Sequence, residues 1–414
     1  MSRILKIALR NLFRYRRRTL LTTLLITIGV VAVLLFVAVS SSFKGMMIGQ
    51  ITDSMLGHIQ VHKKGYVSSI DNLPLHLNMS PRMVNRVAAA LADIDKIEAW
   101  SPRIKLGAMF SNFTETTNIR LNGVNPARES QVSPDLAKRL IAGGGKTLVE
   151  KGKILVPELV AKGMKVQVGN LIVLVANNKN GSVNGMNFTV QGLLEGISGP
   201  GGRDGYIHVD DARALLRMEE QEVSEIAVRL KNLNHLDAIH QQLQASLGSL
   251  KNEKGKPLFE IHQWEKLTPF SNIARMIDLM TLFIKIMLVS IVLISVMNVM
   301  IMAVYERIRE IGTIAAMGTA PGSIRSLFIA EGFLLGLLGA VIGSLLSLAL
   351  IVALKHAEIT FSFGRQQNLL LQPEIATSDV IVASIMVILV AVLASLQPAW
   401  KASRMDPIEA LRHI

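Results

Sequence analysis

The sequence predicts a membrane protein: four transmembrane α-helices, one plus three, with a large α/β extracytoplasmic domain inserted between helices 1 and 2. Three observations carry this. Half of the 414 residues are hydrophobic, and the mean hydropathy is +0.40. The excess is concentrated in four runs, each at or above the ~17 apolar residues that a bilayer-crossing helix needs. And the long segment 41–270 holds no such run, but alternates short strand-like and helix-like pieces with Gly, Pro and Asn turns.

Taken in order, residues 1–19 form a basic cytoplasmic arm, and 20–40 ("LLTTLLITIGVVAVLLFVAV" from Leu20) the first span. Residues 41–270 form the α/β domain, 271–304 a stalk and the second span, and 305–325 a cytoplasmic link. The third span is 326–354, a short outer loop 355–379, the fourth span 380–396 ("VIVASIMVILVAVLASL" from Val380), and a cytoplasmic tail 397–414. The first run is longer than the ~7–15 residues of a signal-peptide core, and its nearest cleavage candidate, "AVSSSF", is a poor one.

The formal net charge is +13. Much of it flanks the spans, notably "RNLFRYRRR" from Arg10 to Arg18. Such clusters hold a helix end in the cytoplasm and can touch anionic lipid. No zinc spacing or RNA-binding motif accompanies the charge, so nucleic acid is not an expected partner. Arg307, Arg309 and Arg325 in the link and Lys401, Arg404 and Arg412 in the tail exceed the two cations, Lys355 and Arg365, of the 355–379 loop. The positive-inside rule then places both termini and the link in the cytoplasm. There is no cysteine, which excludes disulfides and thiol chemistry.

Within 41–270, "GHIQVHKKGY", "TTNIRLNGVNP", "NLIVLVAN" and "MNFTVQGLLEGI" read as strands. "SPRMVNRVAAALADI", "DDARALLRM" and "LDAIHQQLQASLGSL" read as amphipathic helices. Two polar, Gly-rich stretches hold Asn180 and Gly181, and Gly199, Pro200, Gly201 and Arg203. They are connecting loops or contact sites for a partner or cargo outside the membrane. "AGGGKTL" from Ala142 imitates a phosphate loop and fails, because Leu140 stands where the motif needs glycine. His58 and His62 share a strand face, too far apart for easy metal sharing, and no metal site is expected. No catalytic constellation appears, so the chain is not expected to be an enzyme.

The link "MAVYERIREIGTIAAMGTAPGS" puts Glu306, Arg307, Arg309 and Glu310 between two apolar runs. It predicts a helix over 305–317 with i,i+3 pairs Glu306–Arg309 and Arg307–Glu310 and an apolar stripe of Ile308, Ile311 and Ala315. Gly318 stops that helix, and Pro321 begins the next. Exposed pairs contribute only ~0.2–0.5 kcal/mol each, so stability alone does not explain the link. It is either a solvated turn or a docking surface for a cytoplasmic protein. Two apolar faces stand out: Ile28, Val31, Leu35 and Val39 in the first span, and Met280, Phe283, Met287 and Ile291 in the second. Met and Phe suit a shape-tolerant surface, and ordinary packing against lipid is the alternative. Lys285 falls at the outer end of the second span and either snorkels to the interface or faces cargo or a partner.

Residues 304–343 carry Glu306, Arg307, Arg309, Glu310, Ile311, Gly312, Ala316, Gly318, Glu331 and Gly332. The tail carries Pro398, Ala399, Ala402, Asp406, Pro407, Glu409, Ala410, Leu411 and Arg412. Both patterns resemble the FtsX-like, MacB-type permease family of ABC transporters, and the one-plus-three layout fits it. Length and the "RLNGVNPARE" stretch look most like the lipoprotein-releasing permeases. The resemblance implies a mechanotransmitting permease that extracts lipoproteins from a bacterial inner membrane. Its link (Glu306, Arg307, Arg309, Glu310, Ile311, Gly312, Met317, Gly318) would be a coupling helix docked on a separate ATPase dimer that holds ATP and magnesium. No cofactor would bind this chain itself, unlike the macrolide-exporter branch with its fused ATPase. Val31, Leu35, Val39, Met280, Phe283, Lys285, Met287 and Glu331 would face the cargo cavity. The implied partners are a second permease copy or paralogue, a periplasmic carrier or adaptor, and membrane lipid. Export of peptides or drugs through an adaptor, or a membrane sensor, are the alternatives.

Overall fold

The computed structural model describes residues 2–196, 204–251, 255–268, 270–363 and 366–412. The helices are α1 (Ser2–Arg14), α2 (Arg16–Ile51), α3 (Pro81–Ala92), α4 (Pro126–Val132), α5 (Glu158–Gly163), α6 (Val209–Leu216), α7 (Leu236–Gly248), α8 (Trp264–Leu267), α9 (Phe270–Glu306), α10 (Ile308–Ala316), α11 (Pro321–His356), α12 (Thr377–Ser403) and α13 (Pro407–Arg412). The strands are β1 (Ile59–Lys63), β2 (Ile97–Ser111), β3 (Thr116–Val124), β4 (Leu140–Gly143), β5 (Lys153–Pro157), β6 (Leu171–Asn177), β7 (Val183–Leu194), β8 (Asp204–His208), β9 (Glu225–Leu230), β10 (Phe259–Gln263), β11 (Thr360–Phe363) and β12 (Gln366–Leu370). They form two compact units, one helical (1–45, 273–362 and 367–414) and one mainly α/β (46–272 with 363–366).

Among the described residues, four helices are long and apolar enough to cross a membrane: Arg16–Leu56, Asn272–Glu306, Pro321–His356 and Thr377–Ser403. They outrun the spans expected from hydropathy. The 36 residues of α2 cover ~54 Å at 1.5 Å per residue, against a hydrocarbon core of ~30 Å. The excess arises because helical propensity does not stop where apolarity does. "SSSFKGMMIGQI" continues α2, and the helix of the second span reaches back to Phe270.

Glycine sets how closely these helices approach. On α11 a Cβ at Gly332 or Gly336 would lie 2.6 Å from Ser395 Cβ or 2.7 Å from Ala391 Cβ of α12. One at Gly339 or Gly343 would lie within 2.7 Å of Ile26 or Val30 of α2. Two glycine pairs at i,i+4 thus turn α11 into a double seam, the close packing that small residues permit between membrane helices. The buried core of this unit collects Ile26, Val30, Leu34, Val292, Val296, Met300, Phe328, Leu335 and Ala391.

The α/β unit is built on a ten-stranded mixed sheet in the order β10-β1-β9-β2-β3-β8-β5-β7-β4, with β6 bridging β2 and β7. Neighbours are mostly antiparallel, while β3–β8 and β5–β7 run parallel. Arg103 on β2, 2% exposed, reaches Glu129 of α4 at 2.6 Å and Glu225 of β9 at 3.1 Å. Glu225, fully buried, also lies 3.1 Å from Lys105 Nζ and 3.4 Å from His62 Nε2. No group of three metal-ligating side chains exists among the described residues.

Candidate functional site

The link between the second and third spans is not the single helix over 305–317 that its sequence predicts. α9 continues to Glu306, Arg307 breaks the helix at φ −114° and ψ 18°, and α10 starts afresh at Ile308. The expected i,i+3 pairs are replaced by long-range ones. Glu306 accepts from Arg18 at 3.2 Å, and Glu310 lies 3.4 Å from Arg14 and accepts from the Tyr15 hydroxyl. Arg307 turns inward and donates from Nη1 to Glu331 Oε1 at 2.8 Å, with side chains 4% and 1% exposed. Asn11 donates to the same oxygen at 2.8 Å. Tyr15, between α1 and α2, lies under three guanidinium groups, with Arg307 the nearest at 4.2 Å and Arg18 at 5.1 Å. The reason is competition. The basic arm folds back as α1 against α11 and brings Arg18, half-buried, to Glu306 and the exposed Arg14 to Glu310, while Arg307 is drawn inward to Glu331.

The other side of α10 rests on α13. Ile311 and Gly312 are buried, and a Cβ on Gly312 would come within 2.7 Å of Ala410 Cβ. Gly318 closes the segment with φ +85°, a left-handed conformation that glycine adopts without strain. Pro321 is the first residue of α11, where its missing N–H costs nothing. What remains outward is Arg309, Thr313, Ala316 and Met317, the last 73% exposed. A short helix is thus clamped on two sides, to a buried ion pair and to the tail, and ends on the exposed Met317. Three features of this site were missed at the sequence level: the Arg307–Glu331 pair, the share taken by Asn11 and Tyr15, and the seat of α10 on α13. The family tail pattern held a signal for the last.

The proposed cargo residues fall elsewhere. Glu331 is ten residues into α11, beside the link, and does not join an apolar face; its environment is Arg307 and Asn11. Met280, Phe283, Met287 and Ile291 are all exposed, Phe283 by 69%. Val31, Leu35, Val39 and Lys285 are half-buried. Around them α2 and α9 are tied by Ser40–Thr281 at 2.9 Å and Lys44–Asp278 at 2.7 Å, and a Cβ at Gly29 would lie 2.6 Å from Val292. In the α/β unit, Asn180 and Gly181 form the exposed tip of the β6–β7 hairpin, held by Asn178 Oδ1 and by the Lys179–Glu222 pair at 2.9 Å. Gly199, Pro200, Gly201 and Arg203 lie outside the described residues.

Long apolar helices, a clamped connector between two of them and a large α/β unit are the makings of a membrane permease. A model of the MacB-like periplasmic core domain matches residues 19–246, and one of the FtsX-like permease C-terminal domain matches residues 282–407. The chain belongs to this MacB/FtsX-like family of ABC transporter permeases. It is 24% identical over 416 residues to the lipoprotein-releasing system transmembrane protein LolC of Xylella fastidiosa, covering 94% of this chain and 92% of that one. It is 26% identical over 424 residues to an export ATP-binding/permease protein MacB of Pseudomonas entomophila, covering 98% of this chain but 58% of that longer protein. The periplasmic region of MacB from Actinobacillus actinomycetemcomitans overlays 54% of this chain and 94% of its own, at 14% identity and a TM-score of 0.36.

Proposed function

We propose that this chain is the permease subunit of a mechanotransmitting ABC transporter in a bacterial inner membrane. It crosses the membrane four times with both termini in the cytoplasm, and the α/β unit is periplasmic between the first and second spans. A cytoplasmic ATPase dimer on separate subunits binds ATP and magnesium and grips α10. A second permease copy or paralogue completes the transporter, and a periplasmic carrier or adaptor receives the cargo. The observation that carries this reading is the connector: α10 ends on the exposed Met317 while Arg307 and Gly312 fasten it to α11 and α13. A pull on its tip is therefore delivered to the bundle and is not absorbed by a slack loop.

The cargo we favour is lipid-anchored protein extracted from the membrane, in keeping with the near full-length match to LolC. The exposed Met280, Phe283 and Met287 surface offers acyl chains a flexible apolar wall. The comparable identity to an export permease keeps peptide or small-molecule export through an adaptor as the second reading. Met317→Asp places a charge on the free tip and touches none of the buried contacts. It should leave membrane yield unchanged and abolish both ATPase co-purification and ATP-dependent release of a lipoprotein from proteoliposomes. A Met317→Asp protein that keeps its ATPase and releases cargo at the normal rate rules the docking role out. Release of soluble peptide but never of lipoprotein by the unaltered complex selects the second reading.

A further inference from the structure

Helix α1 has three faces. Ala8 and Leu12 are buried against the bundle. Leu5, Leu9 and Phe13, spaced four apart, make a second stripe that is left exposed, Phe13 by 65%. Lys6, Arg10 and Arg14, again four apart, make a third that is exposed and cationic. No Asp or Glu precedes Asp53 in the chain. The apolar stripe is followed on α2 by exposed Leu20, Leu21, Leu24 and Leu25, the start of a membrane-crossing helix. Beside α1, a cleft of about 640 Å³ opens between it, α10 and the first turns of α11. Its walls include Ile7, Ile314 and Leu327, and Arg14, Thr319 and Ser323 supply polar groups beside the Glu310 carboxylate, which Arg14 faces at 3.4 Å.

We infer that α1 and this cleft form a binding site for an anionic phospholipid of the leaflet next to the connector. A helix with one apolar stripe and one cationic stripe settles in the plane of the membrane surface, its apolar side at the acyl boundary and its cations at the phosphates. Anionic headgroups add attraction for each basic side chain near the surface. Leu5, Leu9 and Phe13 take the acyl boundary, and Lys6, Arg10 and Arg14 take the headgroup phosphate, whose far side reaches the polar groups of the cleft, Thr319 and Ser323, past Arg14. A protein partner fits this face less well. Its apolar stripe continues directly into a lipid-facing helix, and the charges on α1 are all of one sign, as an anionic surface requires. The site rests on the topology proposed above, which sets the leaflet. It also gives that topology a consequence: lipid held here bears on Arg14, which lies beside Glu310 of the connector.

The absence of cysteine allows a single reporter. Phe13→Cys in the full chain, carrying an environment-sensitive fluorophore, is placed in nanodiscs of phosphatidylcholine that contain either brominated phosphatidylglycerol or brominated phosphatidylcholine at equal mole fraction. Brominated phosphatidylglycerol should quench several-fold more than brominated phosphatidylcholine. Lys6→Gln with Arg10→Gln should bring the two to parity, and Lys6→Arg with Arg10→Lys should restore the preference. Equal quenching by both lipids in the starting protein means bulk lipid only and overturns the site. Quenching by neither, with the ATPase lost from the complex when Lys6 and Arg10 are changed, gives the face to a protein partner and also overturns it. Leaflet is read separately, by reaction of Phe13→Cys with a membrane-impermeant maleimide in intact cells. Reaction from outside would overturn the proposed topology and the leaflet together, whereas loss of lipid preference alone overturns only the site.

Discussion

Removing Glu331 alone should be far more damaging than removing Glu331 and Arg307 together. In the folded protein the Arg307 guanidinium has one charge partner at 2.8 Å, the Tyr15 ring at 4.2 Å, and Nε and Nη2 buried with no hydrogen-bond acceptor. Glu331→Leu therefore strands a cation that is 4% exposed, its compensation reduced to a ring contact of ~1–2 kcal/mol. Breaking a buried pair from one side costs ~3–5 kcal/mol, so the folded-to-unfolded ratio should fall by about two to three and a half orders of magnitude at 1.4 kcal/mol per decade. Arg307→Met leaves a carboxylate held by Asn11 alone and should cost a similar amount. The double variant Arg307→Met/Glu331→Leu has no stranded charge and should sit within ~1 kcal/mol of the starting protein or above it, as replaced buried pairs often do. Reversible unfolding of the full chain in mixed micelles, run as a double-mutant cycle, measures this. Additive losses, with no coupling beyond ~0.5 kcal/mol, would refute the reasoning. ATP-driven release separates structure from transmission. The double variant should be stable yet uncoupled, and normal coupling would reduce the pair to a structural role.

Two further outcomes follow from the packing and the charges. Gly336→Ala puts a Cβ 2.7 Å from Ala391 Cβ and 3.3 Å from the Ile388 backbone, which should cost ~1–3 kcal/mol by overpacking; an unchanged unfolding midpoint would show that the α11–α12 seam is loose. In the α/β unit, burial alone would raise the Glu225 carboxyl, but Lys105, His62 and Arg103 outweigh it and hold it well below the usual carboxylate range. A folded value below the unfolded ~4.3 means the stabilisation is complete above that pH and is lost as pH falls beneath it toward the folded value. Thermal unfolding of this unit should thus be insensitive to Glu225 from pH 7 to ~5, and Lys105→Met should move the acid-induced loss to higher pH. A Lys105→Met protein whose acid profile is unshifted would count against the cluster.

The sequence made the long elements legible and left the tertiary choices unread, for physical reasons visible at particular residues. Apolar runs long enough to cross lipid announce themselves, the short β-branched run of "NLIVLVAN" gives β6, and the alternation in "MNFTVQGLLEGI" gives β7. β2 is fifteen residues long and is not among the strands read from the sequence; Pro102 sits inside it, and a proline argues against a strand. The sheet tolerates it because Pro102 pairs with Ile226 of β9 while β3 joins only from Arg103 onward. The connector failed in a different way. Spacing along one helix suggests that Glu306 meets Arg309, but electrostatics rewards the less solvated partner. That partner, Arg18, comes from a segment 288 residues away. Glu331 shows the limit most sharply. A carboxylate near the start of an apolar run signals that a partner must exist, since an unpaired one would be costly there. It does not say which partner. The reversal at Gly318 and Pro321 brings Arg307 to it across 24 residues, and the helix break at Arg307 turns the side chain inward instead of along the connector. The motif's second arginine, Arg309, stays outward at the surface. Two arginines two residues apart thus face different tasks, and the kink that separates them is set by packing beyond the reach of local spacing.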